Sequence, residues 1–462
     1  MIKSTQTAKK NRCLRKKQYL SLSLITLSAL TASAANGQQT DEERIKNLEQ
    51  RLIELEQQIQ VQKKSTSSQS TTQQSQAAKI TPAELPKTAQ RSSHAFDAPD
   101  KSIVLSNSNT TLQLGGQIWL DAIYNNGEMT NRAGFQTSSI AYENNTTKDN
   151  TLLTAGQSKL SFKSYTPTAY GAMTTRFEFD MFDSQGNADF HLTHLWGEIG
   201  DFGAGQTFSG FMDINAFPNT LEYWGPNSMV FTRQPQIRYN TAVSKQGRIM
   251  FTIEKSGSDF ALPYDVPNPS YDNINELPDF TGSYLHNGNF GYIKAAVILR
   301  KLGYETSTEK DTTLGFGLNI SGLFTLSDEH SVQFQLVHGQ GIGRYINDTC
   351  CSYYSDETGG VDAGLDTNGR LKAIPVTGGF AYFNKQWDKQ WSSAVGYSYL
   401  SVDNLSRQKA RAIKNSSYST ANLMWSEGHV KAGMELQYGE LQSMSGLEGD
   451  NFRIQTSVGF KY

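Results

Sequence analysis

From about Thr111 to Tyr462 the chain alternates apolar and polar positions, in segments on the order of ten residues each. The last segment is the clearest. Phe452, Ile454, Thr456, Val458, Phe460 and Tyr462 share one face, while Arg453, Gln455, Ser457, Gly459 and Lys461 share the other. In the preceding segment Val430, Ala432, Met434, Leu436 and Tyr438 oppose Lys431, Gly433, Glu435, Gln437 and Gly439. Met173, Phe177, Phe179 and Met181 oppose Thr174, Arg176, Glu178 and Asp180 in the same way. A period of two over this length means strands with one apolar and one polar face.

A soluble sandwich and a transmembrane barrel both use such strands. The polar face mixes Arg, Glu, Lys, Gln and Gly, which suits a water-filled lumen. The hydrophobic share of 37% is small for a sandwich of this size. A tilted strand needs about 9–11 residues to cross a bilayer, which these segments reach. The pattern therefore predicts an all-β transmembrane barrel with about sixteen antiparallel strands. They fall near 111–125, 154–166, 169–183, 188–200, 201–208, 228–241, 245–256, 279–286, 288–301, 312–326, 329–340, 371–385, 390–403, 411–426, 429–442 and 450–462. The segments 188–208 and 279–286 alternate least regularly, so fourteen or eighteen strands stay open. Connections after even strands are tight ("TPTA", "HNGN", "SDEH", "QWDK", "SEGH"). Those after odd strands include the long ones, 126–153, 209–227, 257–278, 302–311 and 341–370. Short periplasmic turns alternating with longer outer loops is the outer-membrane pattern. "HNGN" reads as a type I′ hairpin turn.

The barrel, taken as 101–462, is preceded by three different textures. Residues 1–34 carry the basic run "KKNRCLRKK", an apolar stretch Leu20–Leu30 and then Ala32-Ser33-Ala34, the order of a secretory signal. Within 40–62, Ile45, Leu48, Leu52, Leu55 and Ile59 form an a/d heptad seam, with Arg44 and Arg51 at g and Glu49 and Glu56 at e. These charges favour a parallel coiled coil and hence a homo-oligomer, with dimer and trimer both open. Residues 63–100 are rich in Ser, Thr and Gln and read as a linker. The heptads and linker together (40–100) also suit contact with the cell wall.

Charge and cysteine content sharpen this picture. Residues 1–34 hold seven of the 42 cations and none of the 44 acids, so the exported chain carries 35 against 44, a balance of −9. A net acidic exported chain is not a general nucleic-acid binder. The longest apolar run after the signal, Ala295–Leu299, is far short of the ~20 residues of a membrane helix. Cys350 and Cys351 are adjacent; they form either a vicinal disulfide or two thiols, free or linked to a partner. They are no disulfide framework and, with no His nearby, a poor zinc site.

The segment 205–227, "GQTFSGFMDINAFPNTLEYWGP", follows the fifth strand. In sixteen-stranded general porins the loop at this place folds into the lumen and narrows it. Together with "LGGQIWLDAIYN" in the first strand, "GEIGDFGAGQTFSGFMD", "RQPQIRY", the signal, the heptads and the linker, this segment resembles the DcaP-like outer-membrane porins, nearly end to end. The resemblance implies a homotrimer in outer-membrane lipid, a periplasmic N-terminal segment with a coiled coil, and passage of small anions such as dicarboxylates.

Strand parity adds its own candidates. Lys159, Lys163, Arg176, Arg238, Arg248 and Arg453 are on the lumen side, and Arg176, Arg238 and Arg248 are on strands flanking the loop 209–227. Guanidinium groups match carboxylates bidentately, so a local positive eyelet is expected inside an acidic protein. The alternative for each cation is a wall salt bridge to Glu178, Asp180 or Glu254. Arg233 shares parity with Met229 and Phe231, expected to face lipid; it is either above the membrane or displaced by a bulge at Pro235. In the constriction loop, Asp213, Pro218 and Glu222 are singled out: the two acids either pair with those arginines or form an acidic wall.

Other chemistry is thin. His191 and His194, three apart in a strand, are expected on opposite faces and so unable to share a metal. "GQGIG" (Gly339–Gly343) lacks the Lys-Ser/Thr of a phosphate loop. No Ser/His/Asp trio stands out, and neither catalysis nor a cofactor is expected. The rival readings are a structural tether, with the barrel as anchor, and an outer-membrane hydrolase.

Overall fold

A computed structural model describes residues 103–104, 109–142, 149–261, 272–349 and 362–462. The signal, the heptad seam, the linker and the pair Cys350 and Cys351 lie outside these residues. The alternating segments form a closed antiparallel barrel of sixteen strands. In chain order they are β1 (Thr111–Asn125), β2 (in two pieces, Asn150–Thr154 and Lys159–Thr168), β3 (Gly171–Asp180), β4 (His191–Ile199), β5 (Phe202–Phe208), β6 (Arg233–Ala242), β7 (Gly247–Glu254) and β8 (Asp279–Gly288). The second half comprises β9 (Gly291–Glu305), β10 (Lys310–Thr325), β11 (His330–Gln340), β12 (Pro375–Gln386), β13 (Trp391–Val402), β14 (Ile413–Glu427), β15 (Val430–Ser443) and β16 (Glu448–Lys461). Each strand pairs with its successor, and β1 closes the ring on β16 through the register Gln117↔Lys461 to Asn125↔Arg453.

The faces follow the predicted parity. Ile118, Ile237, Leu299 and Leu314 are about 60–70% exposed on the outside, an apolar band suited to lipid. Around the short-turn end, which faces the periplasm in barrels of this kind, Tyr170, Phe202, Phe290, Trp387, Trp391 and Tyr462 are all exposed. They form the aromatic girdle expected at a membrane–water boundary.

Three details depart from the expectations. The connection after β9 is four residues, not ten, because β9 and β10 stay paired up to Glu305↔Lys310. The turn after β8 is Asn289–Phe290, since Gly288 already pairs with Gly291, whose φ of 116° needs glycine. And β6 begins at Arg233, so Met229 and Phe231 belong to the preceding loop, where Met229 is fully buried rather than facing lipid.

The core sits inside the barrel. The described parts of the connections 126–149 and 341–374 pack with the loop 209–232 and against the inner wall. Phe135, Phe217, Met229, Val230 and Tyr345 from these loops join inward-facing Ile298, Val376, Leu400 and Tyr418 in one apolar cluster. A backbone bridge, Val230↔Ile346, ties two of the loops directly.

Candidate pore and its constriction

The loop 209–232 is held along its length by inward side chains. Glu254 on β7 accepts from the Gly210 amide (2.7 Å) and the Ser209 hydroxyl (3.0 Å). Lys294 on β9 donates to the Met212 carbonyl (2.5 Å), and Asn319 on β10 to the Phe211 carbonyl (2.9 Å). Gln333 on β11 donates to the Phe217 carbonyl (3.0 Å), and Asn422 on β14 to the Asn219 carbonyl (2.8 Å). Glu435 on β15 accepts from the amides of Leu221 (2.8 Å) and Glu222 (3.1 Å). The polar inner face of β7–β16 therefore satisfies loop backbone rather than a column of water, a role that parity alone does not reveal.

The two acids of the loop serve the same end, and neither forms an ion pair with Arg176, Arg238 or Arg248. Asp213 accepts from the hydroxyls of Tyr292 (3.1 Å) and Ser321 (2.7 Å) and from the Asn215 amide (3.2 Å). Glu222 accepts from the amides of Phe135 (2.7 Å), Trp224 (2.7 Å) and Gly225 (2.6 Å), which joins the first loop to the third. Burial pushes its carboxyl up to about 7, against the pull of those amides and of Arg453. Asp348, in the loop after β11, makes the matching joint: it accepts from the Thr137 amide (2.5 Å), the Ser138 amide (3.3 Å) and the Trp224 indole (3.0 Å). Burial raises it to about 7 as well. Pro218 is buried in the same loop, its carbonyl accepting from the Thr220 amide (3.0 Å).

The wall from β1 to β6 is different. A cavity of about 610 Å³ opens there, lined by residues of β1–β6 and by Ile214 of the inserted loop. Its charged lining is Lys163, Arg176 and Arg238 against one acid, Glu198. Cross-strand register sets these in two rows. Lys163, Arg176, Trp196, Gly205 and Gln236 face one another in turn, and so do Tyr165, Thr174, Glu198, Gly203 and Arg238. A side chain at Gly203 would collide with the Trp196 ring, so glycine there lets the indole lie across β5. The Arg238 guanidinium stacks on that ring, 5.0 Å from its centroid, and donates to the Phe208 carbonyl and to Gln236 Oε1 (3.0 Å).

The predicted cations thus meet different fates. Arg176 lines the cavity but also pairs with Glu178 (2.6 Å), which Lys159 approaches at 3.5 Å. For these two the wall salt bridge holds. Among the described residues, no carboxylate lies within 4.0 Å of Lys163 or Arg238. Arg248 has lumen parity, but it stands at the short-turn rim, bonded to Asn240 (Nε to Oδ1, 3.3 Å), roughly 13 Å along the strands from the Arg238 row. Arg453 is fully buried: it donates to Asn125 Oδ1 (2.8 Å) and to the carbonyls of Arg132 (3.0 Å) and Ala133 (3.3 Å), pinning the first loop. A register shift opposite Glu178 and Phe179 turns both His191 and His194 inward, contrary to simple alternation. His191 bonds Asp180 (2.8 Å) and His194 bonds Thr207 (2.9 Å); no metal-binding group occurs among the described residues. Trp196, Phe208 and Ile214 were missed as lining residues. For Trp196 a signal existed, an aromatic at an inward position of a strand whose other inward positions are polar.

Comparison with known proteins completes the picture. The model of the DcaP outer membrane protein family matches residues 30–462. The crystal structure of the outer membrane channel DcaP of Acinetobacter baumannii superposes with a TM-score of 0.68 at 18% identity, covering 77% of this chain and 99% of that one. An anion-selective porin from Comamonas acidovorans shares the fold at a TM-score of 0.50 and 10% identity, covering 76% of this chain and 100% of that one. No curated protein matches the sequence. With a family model spanning nearly the whole chain and a barrel closed around an inserted loop, the chain belongs to the DcaP outer membrane protein family, whose fold is that of an outer-membrane porin channel.

Proposed function

We propose that the pore passes small hydrophilic anions, dicarboxylates among them, by passive diffusion along the β1–β6 wall. The observation that carries this reading is the cavity whose lining sets three cations against one acid, two of the three with no carboxylate within 4.0 Å among the described residues. A pore selects by the charge on its lining and by its bore. Arg238 presents its guanidinium from the Trp196 ring, and with Nε and Nη2 given to Gln236 and the Phe208 carbonyl it is Nη1 that meets a carboxylate oxygen. Binding is weak in such a path, because transport requires release. The test is planar-bilayer recording with a panel of mono- and dicarboxylates: anion-selective currents, reduced in Arg238→Ala, support the reading, and cation-selective currents in the unaltered protein refute it.

The same reading includes a homotrimer with its N-terminal segment in the periplasm. In support, β5 has seven residues and β7 eight, against 15 in β9 and 16 in β10. Seven residues tilted by about 40° rise only about 18 Å, less than the ~25 Å apolar band of an outer membrane. A neighbouring copy shields so low a wall. Mass measurement of the detergent-solubilised protein, with and without residues 40–62, tests both the trimer and the heptads' part in it.

A further inference from the structure

Arg233, left undecided by its parity, turns into the barrel interior. It is the first residue of β6, opposite Phe208. Its guanidinium carbon lies 4.9 Å from the ring centroid of Phe208 and 4.9 Å from that of Phe231. It donates to the Tyr223 hydroxyl of the inserted loop, and Lys159, Glu178 and Asp180 are its charged neighbours. Among the described residues, no carboxylate comes within 4.0 Å of it. Its Nε is buried without a partner.

Phe208 links this group to the cavity. The ring lines the cavity of Lys163, Arg176 and Arg238 and carries Arg233, which is not itself part of the lining. Arg233 sits at the long-loop end of β6, and Arg238 is five residues, roughly 16 Å, nearer the short turns. Phe208, Phe231 and Ile214 all pack at the edge of the internal apolar cluster. An apolar stretch centred on Phe208 therefore lies between Arg233, which has Glu178 and Asp180 near it, and the cavity cations.

We infer that Arg233 is a selectivity-determining residue of the pore: an outer-side station that receives small carboxylates and inorganic anions before they pass the Phe208 collar to Arg176 and Arg238. This rests on the anion-conducting reading above. A cation ahead of an apolar constriction raises the local anion concentration there and disfavours cations, and a second cation beyond it draws the anion through. The two rings and the Tyr223 hydroxyl fix the guanidinium, and Glu178 and Asp180 attract it only from beyond 4.0 Å, so part of its charge stays available to a passing ion.

The test compares full-length protein with Arg233→Gln, Arg233→Met, Arg233→Lys and Arg238→Gln in planar bilayers, with reversal potentials in a potassium chloride gradient and thermal unfolding of each variant. The expected result is a roughly twofold fall in the chloride-to-potassium permeability ratio for both neutral Arg233 variants, with the ratio retained in Arg233→Lys. Either neutral variant that inserts suffices. If the neutral variants keep the ratio while Arg238→Gln lowers it, Arg233 is only a loop anchor and this inference falls, leaving the anion reading intact. If Arg233→Lys loses as much as the neutral variants, charge is not the operative property and the inference also falls. A wild-type pore that prefers potassium overturns both.

Discussion

Arg453 and Arg176 come from the same kind of strand position, inward and next to an outward phenylalanine (Phe452 and Phe177), yet they belong to two different walls. Arg453 is fully buried, its guanidinium spent on the carbonyls of residues 132–134. Arg176, with a side chain 27% exposed, looks into the cavity. The difference is not in the strands but in what the lumen holds beside them. Along β7–β16 the loops fold inward and consume the polar face as hydrogen-bond partners for their backbone, as buried amides and carbonyls require. Along the part of β1–β6 that lines the cavity the loop stands off and the same kinds of side chain meet solvent. The lesson is that alternation fixes direction, and loop packing decides whether a charge becomes a rivet or part of a conduction path.

The largest effect that separates the walls is expected at Arg453. Arg453→Ala leaves several carbonyls of the first loop unpaired and should lower stability on the order of 3 kcal/mol, measured by thermal or denaturant unfolding, with the chloride-to-potassium ratio little changed. A shift in that ratio as large as the one at Arg238 would erase the distinction. Arg238→Ala should do the reverse: a fall of roughly threefold in anion preference, with stability within about 1 kcal/mol of the parent. Unfolding as severe as at Arg453 would place Arg238 on the dry wall.

The joint between the three loops gives a pH-dependent version of the comparison. Glu222 and Asp348 rise from ordinary values of 4.5 and 3.8 to about 7 in the packed loops. The packed state therefore binds protons more tightly than the released one. Its stability is greatest in acid, falls as pH rises through the interval between those values and about 7, and is level above. Around Glu222, Arg453 opposes this trend, while Glu435, Tyr382 and Tyr418 also face it. Proteolysis of the loops should slow as pH is lowered from 8 to 5, and Glu222→Gln should remove a large part of that dependence. Proteolysis unchanged over this range would show the carboxyls to be uncoupled from loop packing. The smallest effect is expected for Arg248→Ala. At the rim, beyond the cavity, it should change the permeability ratio by well under about twofold; an effect equal to Arg238→Ala would move the selective region to the periplasmic mouth.

All sixteen strands were legible, because each must present an apolar face to lipid and a polar face inward, and that constraint is written as a period of two. Lys163, Arg176 and Arg238 followed from the same rule. What escaped it was everything that depends on contacts distant in sequence. Glu435 and Gln455 read as water-facing, but they hold Leu221, more than 200 positions away. Arg233 was hidden because its segment was read as strand from residue 228, five residues too early. His191 and His194 were misplaced by a bulge that no local pattern announces. The depth of Arg248 along the barrel axis was invisible too, since parity carries no information on height.

The central claim is that the solvent-facing wall of β1–β6, with Lys163, Arg176 and Arg238, sets which ions pass. The reversal potential of the unaltered protein in a tenfold potassium chloride gradient reads this directly. A potential displaced toward the chloride equilibrium value is the predicted result; one displaced toward the potassium value would contradict it.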